Sequence, residues 1–420
     1  MQLAIPSFQF RFIPSMGNVV FPGNFHPVGS QAAADAMLER VGSAATSRSG
    51  ESWLLVGGSG GFGSAARAVL GGRYGCNTLN VSLDAQPTPT SNNKIRKIGS
   101  PGFHRNFALE RGLNAKGTTA GSIIGDAFDP AIREEVVATV RENFGGKIKG
   151  LVWALAAPRA TDPRTGKAIS SALKPLGKPM TVKTFTGRDE RKGTDPQVVE
   201  LELPPGSPEE AINTIFVMGG GIVRQWVEVL LAADVLAEGF TLYTISYRGN
   251  PLNEGMYRKG LIGLAKADLE FETKALDAIL ADRVGGRALA VEGPAVVTEA
   301  SGGIPGVPFY LANMLDVMGD RFEDPTASMQ RMFDGHFSEA GLATDDEGLV
   351  RMDDVELQEE FQSELAARYE AATAGSTFDG ALYDQFMTAY AQTRGFNIDG
   401  VDYEAEFDTD AVCGLAPSEG

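Results

Sequence analysis

Tyr257 and Lys266 stand nine positions apart in the stretch MYRKGLIGLAK (256–266), with Gly260 and Gly263 between them. A phenol can donate a hydrogen bond to an oxygen on which negative charge builds, and a nearby ammonium lowers its pKa. A donor placed in that way lowers a barrier, typically by a few kcal/mol. The ammonium can also grip a ribose. The two glycines argue against an unbroken helix across 257–266, so Tyr257 is expected on a loop and Lys266 in the first turns of the helix that follows. Residue type and spacing leave a plainer alternative open, an exposed tyrosine and a solvated lysine.

A second constellation lies at 57–63, GGSGGFG. Gly58, Gly60 and Gly63 satisfy G-x-G-x-x-G, and Gly57, Gly61 and Gly63 satisfy G-x-x-x-G-x-G. Both patterns meet one physical need: a tight turn, close backbone approach to a pyrophosphate, and close packing of the next helix on the strand. In a chain with 51 glycines the pattern alone also fits a plain turn. Its context favours a dinucleotide. An apolar run, WLLVGG, precedes it and an alanine-rich helical stretch follows. Asp84 closes the next strand-like segment, where a carboxylate can accept hydrogen bonds from an adenosine ribose. That carboxylate would repel a 2′-phosphate, which favours NADH over NADPH. Lys94, Arg96 and Lys97 nearby keep NADPH open, and DAQPTPT also suits a turn. Asp126 and Ala127 lie where a further strand should end and could touch an adenine. On sequence alone a helix cap before Pro130 explains Asp126 better.

These groups need elements to hold them. Strands are expected at 53–58, 76–84, 149–158, 240–247 and 288–301 (the last with its exit loop), and helices at 130–144, 222–237 and 267–284. The alternation predicts an α/β fold, a Rossmann-like doubly wound parallel sheet. Residues 159–210 read as a long excursion with a small hairpin, and the chain after 308 as mostly helical. The absence of a repeat or low-complexity linker favours a single domain over 1–420, with insertions.

The bulk numbers bound the function. A net charge of −17 disfavours nucleic acid as a partner. No run of 18 apolar residues suggests a membrane span. The N-terminus lacks the look of a secretory signal, and two distant cysteines, Cys76 and Cys413, fit a reducing cytoplasm. His26, His104 and His336 show no ligand spacing with them, so no metal is expected.

Motifs along the chain identify a family. TISYRGNPLNEGMYRKGLIGLAKADLE (244–270) resembles the Y-x8-K segment of the trans-2-enoyl-CoA reductases and FabV-type enoyl-ACP reductases, enlarged relatives of the short-chain reductases. HPVG (26–29), GGSGGFGSAAR (57–67), GDAFD (125–129), LAAPRATDPRTGKAISSALKPLGK (155–178), VMGG (217–220), AVVTEAS (295–301), IPGVPFYL (304–311) and FNIDGVDYEAEFD (396–408) are similar to its other motifs, in order. The resemblance implies a monomer whose extra helices cover an acyl pocket. It implies NADH-dependent reduction of trans-2-enoyl thioesters, carried by CoA or acyl carrier protein. Tyr257 would donate to the enolate oxygen, Lys266 would bind the cofactor and Tyr247 would contact the thioester. Gly57, Gly58, Ser59, Gly60, Gly61, Phe62, Leu83, Asp84, Asp126, Ala127, Leu155, Ala156, Val296, Val297 and Thr298 would line the NADH site. The same Tyr and Lys could instead serve a ketone reductase, and a non-catalytic nucleotide- or acyl-binding relative is a third reading. The chain departs from the family pattern at Ala267, at Gly221 to Val223, at Gly302, Gly303 and Gly306, and over 85–106. These departures suggest a wider or differently shaped acyl site.

Overall fold

The computed structural model describes residues 1–16, 18–188 and 193–415. Seven parallel strands form the central sheet: β1 Ser52–Val56, β2 Asn77–Ser82, β3 Ala120–Ile124, β4 Ile148–Trp153, β5 Leu236–Ser246, β6 Arg287–Glu292 and β7 Val350–Arg351. Their spatial order is β7-β6-β5-β4-β1-β2-β3. The chain therefore winds outward in both directions from the β1–β4 pair, and the order reverses there. A crevice opens beyond the strand ends at such a reversal, and ligands of doubly wound sheets bind in it.

Side-chain alternation sets the layers. Leu54, Val56, Leu79, Val81, Leu151, Trp153 and Leu242 face one side, against Val136, Val140, Trp226, Leu269, Leu276 and Leu280. Trp53, Leu55, Val152, Tyr243, Leu289 and Val291 face the other, against Ala65, Ala66, Val69, Leu70, Met329, Met332 and Phe333. Both faces are apolar because both are covered, and every residue of β1 is buried. Each fully buried aliphatic side chain contributes roughly 1.5–3 kcal/mol.

The helices Pro130–Asn143, Pro208–Met218, Gly221–Ala232 and Leu261–Val284 follow from local signals. Asp129 caps the first through Ala131 N, ahead of Pro130. Ser207 and Glu210 form a reciprocal capping box on the second. The strands β4 and β5 differ from expectation at their ends: β4 stops at Trp153, and β5 starts at Leu236, inside the segment expected to be helical. The long helix begins at Leu261, six residues before the expected start.

The excursion holds two antiparallel hairpins, Arg159–Thr161 with Ala168–Ser170 and Met180–Phe185 with Val198–Leu203. Its residues 189–192 lie outside the described residues. Pro208–Ala232, 25 residues, is long and apolar enough to cross a membrane by length and composition, an 18-residue window of it reaching mean hydropathy 1.5. It bends between two helices at Gly219 and Gly220, and Ile222, Val223, Trp226, Val227 and Leu230 pack into the core beneath the sheet. Beyond β6, the helices Val307–Met318, Glu359–Ala371 and Gly380–Gln392 enclose an aromatic cluster with the second hairpin, built on Phe185, Phe309, Phe361, Phe378, Tyr383, Phe386 and Tyr390.

Candidate active site

The glycine loop occupies the C-terminal end of β1, beside the reversal. Gly57 has φ +90°, and a Cβ there would lie 2.8 Å from Leu155 N, so the loop after β4 abuts its backbone. A Cβ on Gly63 would lie within 3 Å of both Gly57 and Gly58 backbone atoms. Only glycine lets the helix Gly61–Ala68 start so close to the turn. Asn80 fixes the turn by accepting from Gly58 N at 2.9 Å. That helix has no side-chain cap, which leaves its first amides open to an anion. Arg105 donates to Ser59 O at 2.7 Å and pairs with Glu299, which also meets Arg394 at 3.3 Å. Phe62 touches the loop after β6 at Gly293, and Thr298 lies against Gly61.

Asp84 follows β2. Its carboxylate accepts from Ser82 Oγ at 2.7 Å, Asn106 Nδ2 at 3.1 Å and Ser100 Oγ at 3.3 Å. Burial still raises its pKa above the usual carboxylate value, against the hydrogen bond from Ser82. Leu83 beside it is 73% exposed, an apolar face open to a flat ring. Asp126 makes a local turn, accepting from Phe128 N at 3.0 Å, whereas Asp129 is the helix cap. Ala127 is buried, and its carbonyl accepts from Trp226 Nε1 at 2.9 Å. Ala156 is exposed, Leu155 and Val297 are half-buried, and Val296 is buried, with its carbonyl accepting from Ser301 Oγ at 3.1 Å. The glycine turn, Leu155 and Thr298 thus surround one crevice, while Asp84 and Leu83 sit at its β2 edge.

Tyr257 lies in the turns 251–259 and Lys266 in the second turn of the helix Leu261–Val284. The intervening glycines have defined reasons. A Cβ on Gly263 would collide with the carbonyl oxygens of Tyr257 and Arg258, and one on Gly260 would collide with that of Met256. The helix start therefore folds directly back onto the tyrosine loop. Gly249, at φ +80°, lets the Tyr257 side chain pass: a Cβ there would sit 2.9 Å from Tyr257 Cβ.

Lys266 is 7% exposed and donates from Nζ to Ile245 O at 3.1 Å, on the strand that leads to Tyr247. Burial lowers its pKa; Glu292 and Glu270 oppose that shift. Tyr257 is buried, its ring 4.8 Å from that of Tyr247 at 83°. Its hydroxyl makes no hydrogen bond among the described residues. The expected lowering of the phenol pKa is corrected here: burial first, then the Glu356 charge, push Tyr257 above the ordinary phenol value. The group is held as a neutral donor.

Residues that the sequence reading missed surround this pair. Glu356 is 1% exposed and accepts from Ala295 N at 2.6 Å, Tyr310 Oη at 2.8 Å and Asn250 Nδ2 at 3.1 Å. Glu292, at the end of β6, is fully buried. Arg248 pairs with it at 3.7 Å, and among the described residues neither carboxylate oxygen makes a hydrogen bond. Burial, then Glu270, push its pKa up to about 8. Its signal was readable, as the one acid in the apolar run ALAVE. Beyond the tyrosines, Val182, Leu252, Met256, Val307 and Tyr310 line an opening. The three glycines that suggested a wider acyl site differ. Gly302 is packed against the Tyr390 ring and Gly306 holds φ +79°, so each has a local cause; only Gly303 faces open space.

A parallel sheet whose strand order reverses beside an uncapped glycine turn, with a carboxylate after β2, has the form of the Rossmann-class nucleotide-dependent oxidoreductases. The chain belongs to the trans-2-enoyl-CoA reductase family. Residues 97–337 match the model of the trans-2-enoyl-CoA reductase catalytic region and 13–89 that of its NAD(P)H-binding domain. Enoyl-[acyl-carrier-protein] reductase [NADH] of Erwinia tasmaniensis is 33% identical over 92% of this chain and 94% of its own length; that of Pseudomonas fluorescens is 34% identical over the same shares. The trans-2-enoyl-CoA reductase of Clostridium acetobutulicum in complex with NADH has a TM-score of 0.86 at 29% identity, covering 99% of this chain and 100% of that one. The Treponema denticola enzyme in complex with NAD gives 0.83 at 29%, covering 97% and 98%.

Residues 344–407 match a third model, described as an enoyl reductase FAD binding domain. Its residues here do not fit a flavin. The helix Glu359–Ala371 opens with Glu359 and Glu360, and Asp379 occupies the first amides of Gly380–Gln392, so both starts repel a pyrophosphate. The aromatic side chains of the segment are consumed in packing.

Proposed function

We propose that this NADH-dependent enoyl reductase works through Tyr257, which donates to the thioester carbonyl oxygen as the C2=C3 bond of a trans-2-enoyl thioester is reduced. NADH supplies the hydride, which goes to the β carbon. The electron pair of the double bond then moves toward the carbonyl oxygen, where the Tyr257 hydroxyl meets the charge, and protonation completes the saturated acyl thioester. The observation that carries this reading is the Tyr257 hydroxyl itself, buried but unengaged, beside a second phenol.

The glycine turn and the open amides of the helix Gly61–Ala68 fit the pyrophosphate, Asp84 fits the adenosine ribose, and Lys266 fits the ribose next to the nicotinamide. The opening lined by Val182, Leu252, Met256 and Val307 suits the acyl chain. We also read the chain as one working unit, which the pairing of Gln2–Leu3 with Phe407–Asp408 supports. NADH oxidation with enoyl-CoA and enoyl-carrier thioesters, in wild type and Tyr257→Phe, tests the reading. Turnover unchanged by the substitution would remove Tyr257 from its role.

A further inference from the structure

The donors around Tyr247 are arranged in one direction. Asn253 Oδ1 accepts from Asn250 N at 2.8 Å, and Asn250 Oδ1 accepts from Leu252 N at 3.0 Å. Backbone donors thus fix both amides, and their NH2 groups face inward. Asn253 Nδ2 lies 3.2 Å and Asn250 Nδ2 3.4 Å from Tyr247 Oη, and both donate to it. Asn250 is 3% exposed and its amide also donates to buried Glu356, so it cannot turn over without leaving that carboxylate short of a partner. A phenol carries one hydrogen, and its oxygen can accept. Two amide donors occupy the accepting side of Tyr247 Oη, and neither amide nitrogen can accept.

We infer that Asn250 and Asn253 are positioning residues that make Tyr247 a committed donor, so that its one hydrogen is available only to the substrate's thioester oxygen, alongside Tyr257. The inference rests on the reading of Tyr257 given above. What it adds is that two asparagines set the direction of the Tyr247 hydrogen; the contact of Tyr247 with the thioester is what the family resemblance already implies. The ionisable groups facing Tyr247 are Glu356, Tyr310 and Tyr257. None of them accepts from its hydroxyl.

The test inverts one donor. Asn253→Asp keeps the shape but presents a carboxylate that captures the Tyr247 hydrogen. Asn253→Ala only deletes a donor and leaves that hydrogen free. With trans-2-hexenoyl-CoA and NADH near neutral pH, the Ala variant should lose a few-fold in kcat and the Asp variant roughly tenfold more, less than the roughly 10²–10³ of an oxyanion donor lost outright, because Tyr257 still donates. The Asp variant should recover toward the Ala level in acid, as its new carboxyl takes a proton and becomes a donor. The gap between Asp and Ala should vanish in a Tyr247→Phe background. NADH affinity and the melting temperature are followed throughout. An Asp variant at least as active as Ala at every pH, or a gap that survives loss of the Tyr247 hydroxyl, overturns the inference. Should Asn253→Asp not fold, Asn253→Ala carries the test: its loss must disappear in the Tyr247→Phe background. Tyr257→Phe, run alongside, separates the two ideas, because unchanged turnover there fails the Tyr257 reading whatever Asn253 does.

Discussion

The rings of Tyr247 and Tyr257 meet edge to face, their centroids 4.8 Å apart and their planes at 83°. One follows the end of a sheet strand and the other comes from the loop before a long helix, so the contact joins two elements. Tyr257→Phe keeps this contact and removes only the hydroxyl. Turnover should fall about 100-fold or more while NADH affinity stays within about twofold, since a lost donor to a developing oxyanion costs roughly 10²–10³ in rate. Steady-state kinetics and cofactor fluorescence titration measure the two effects separately.

Asp84 bears on cofactor choice. On the reading of Asp84 as the ribose-binding carboxylate, its charge would face a 2′-phosphate, and like charges a few ångströms apart in water repel by about 1 kcal/mol. Asp84→Asn retains the size of the side chain and removes the charge. The preference for NADH over NADPH should narrow roughly fivefold, read as the ratio of kcat/KM for the two cofactors. A ratio that does not move would place the source of selectivity elsewhere.

Gly63 is where the helix meets the turn. A methyl group there has no room beside Gly57 and Gly58. Gly63→Ala should raise the NADH Kd at least about tenfold and cost roughly 1–3 kcal/mol of stability as the backbone shifts. Denaturant melts with and without NADH resolve the two losses, and the variant should gain less from the cofactor than wild type.

Glu292 predicts a pH effect on stability. Burial raises its carboxyl from 4.5 to about 8, so the fold favours the protonated form. Its contribution is therefore complete below the unfolded value and is lost as pH rises through about 8. Glu292→Gln is neutral throughout. Between mildly acidic and alkaline solution the wild type should lose roughly 2 kcal/mol relative to the variant. Thermal melts across that range would refute the assignment if the two curves stayed parallel.

What the sequence disclosed was local. The glycine turn, Asp84 and the placement of Tyr257 on a loop each rest on a few neighbouring residues, and the sheet follows from apolar runs closed by glycine or proline. What it withheld depends on distance along the chain. Glu356 lies in DDVELQEEF, where nothing in the sequence separates it from the other acids until Ala295, Tyr310 and Asn250 come together around it. Asn250 and Asn253 look like ordinary turn residues and do form the turn; their second role requires Tyr247 to fold over them. The helix Pro208–Met218 was legible in principle, because Ser207 and Glu210 carry the capping spacing, but the proline- and glycine-rich residues ahead of it masked the start.

Leu261 N donates to Lys174 O at 3.0 Å, and Pro175 bridges to Gly260, so the excursion is fastened to the residue at which the long helix begins. The loop bearing the phenol is thereby clamped from outside the sheet as well as from within it. Trimming the hairpins to make a smaller enzyme would loosen that clamp, and the toll would fall on catalytic geometry before it fell on folding.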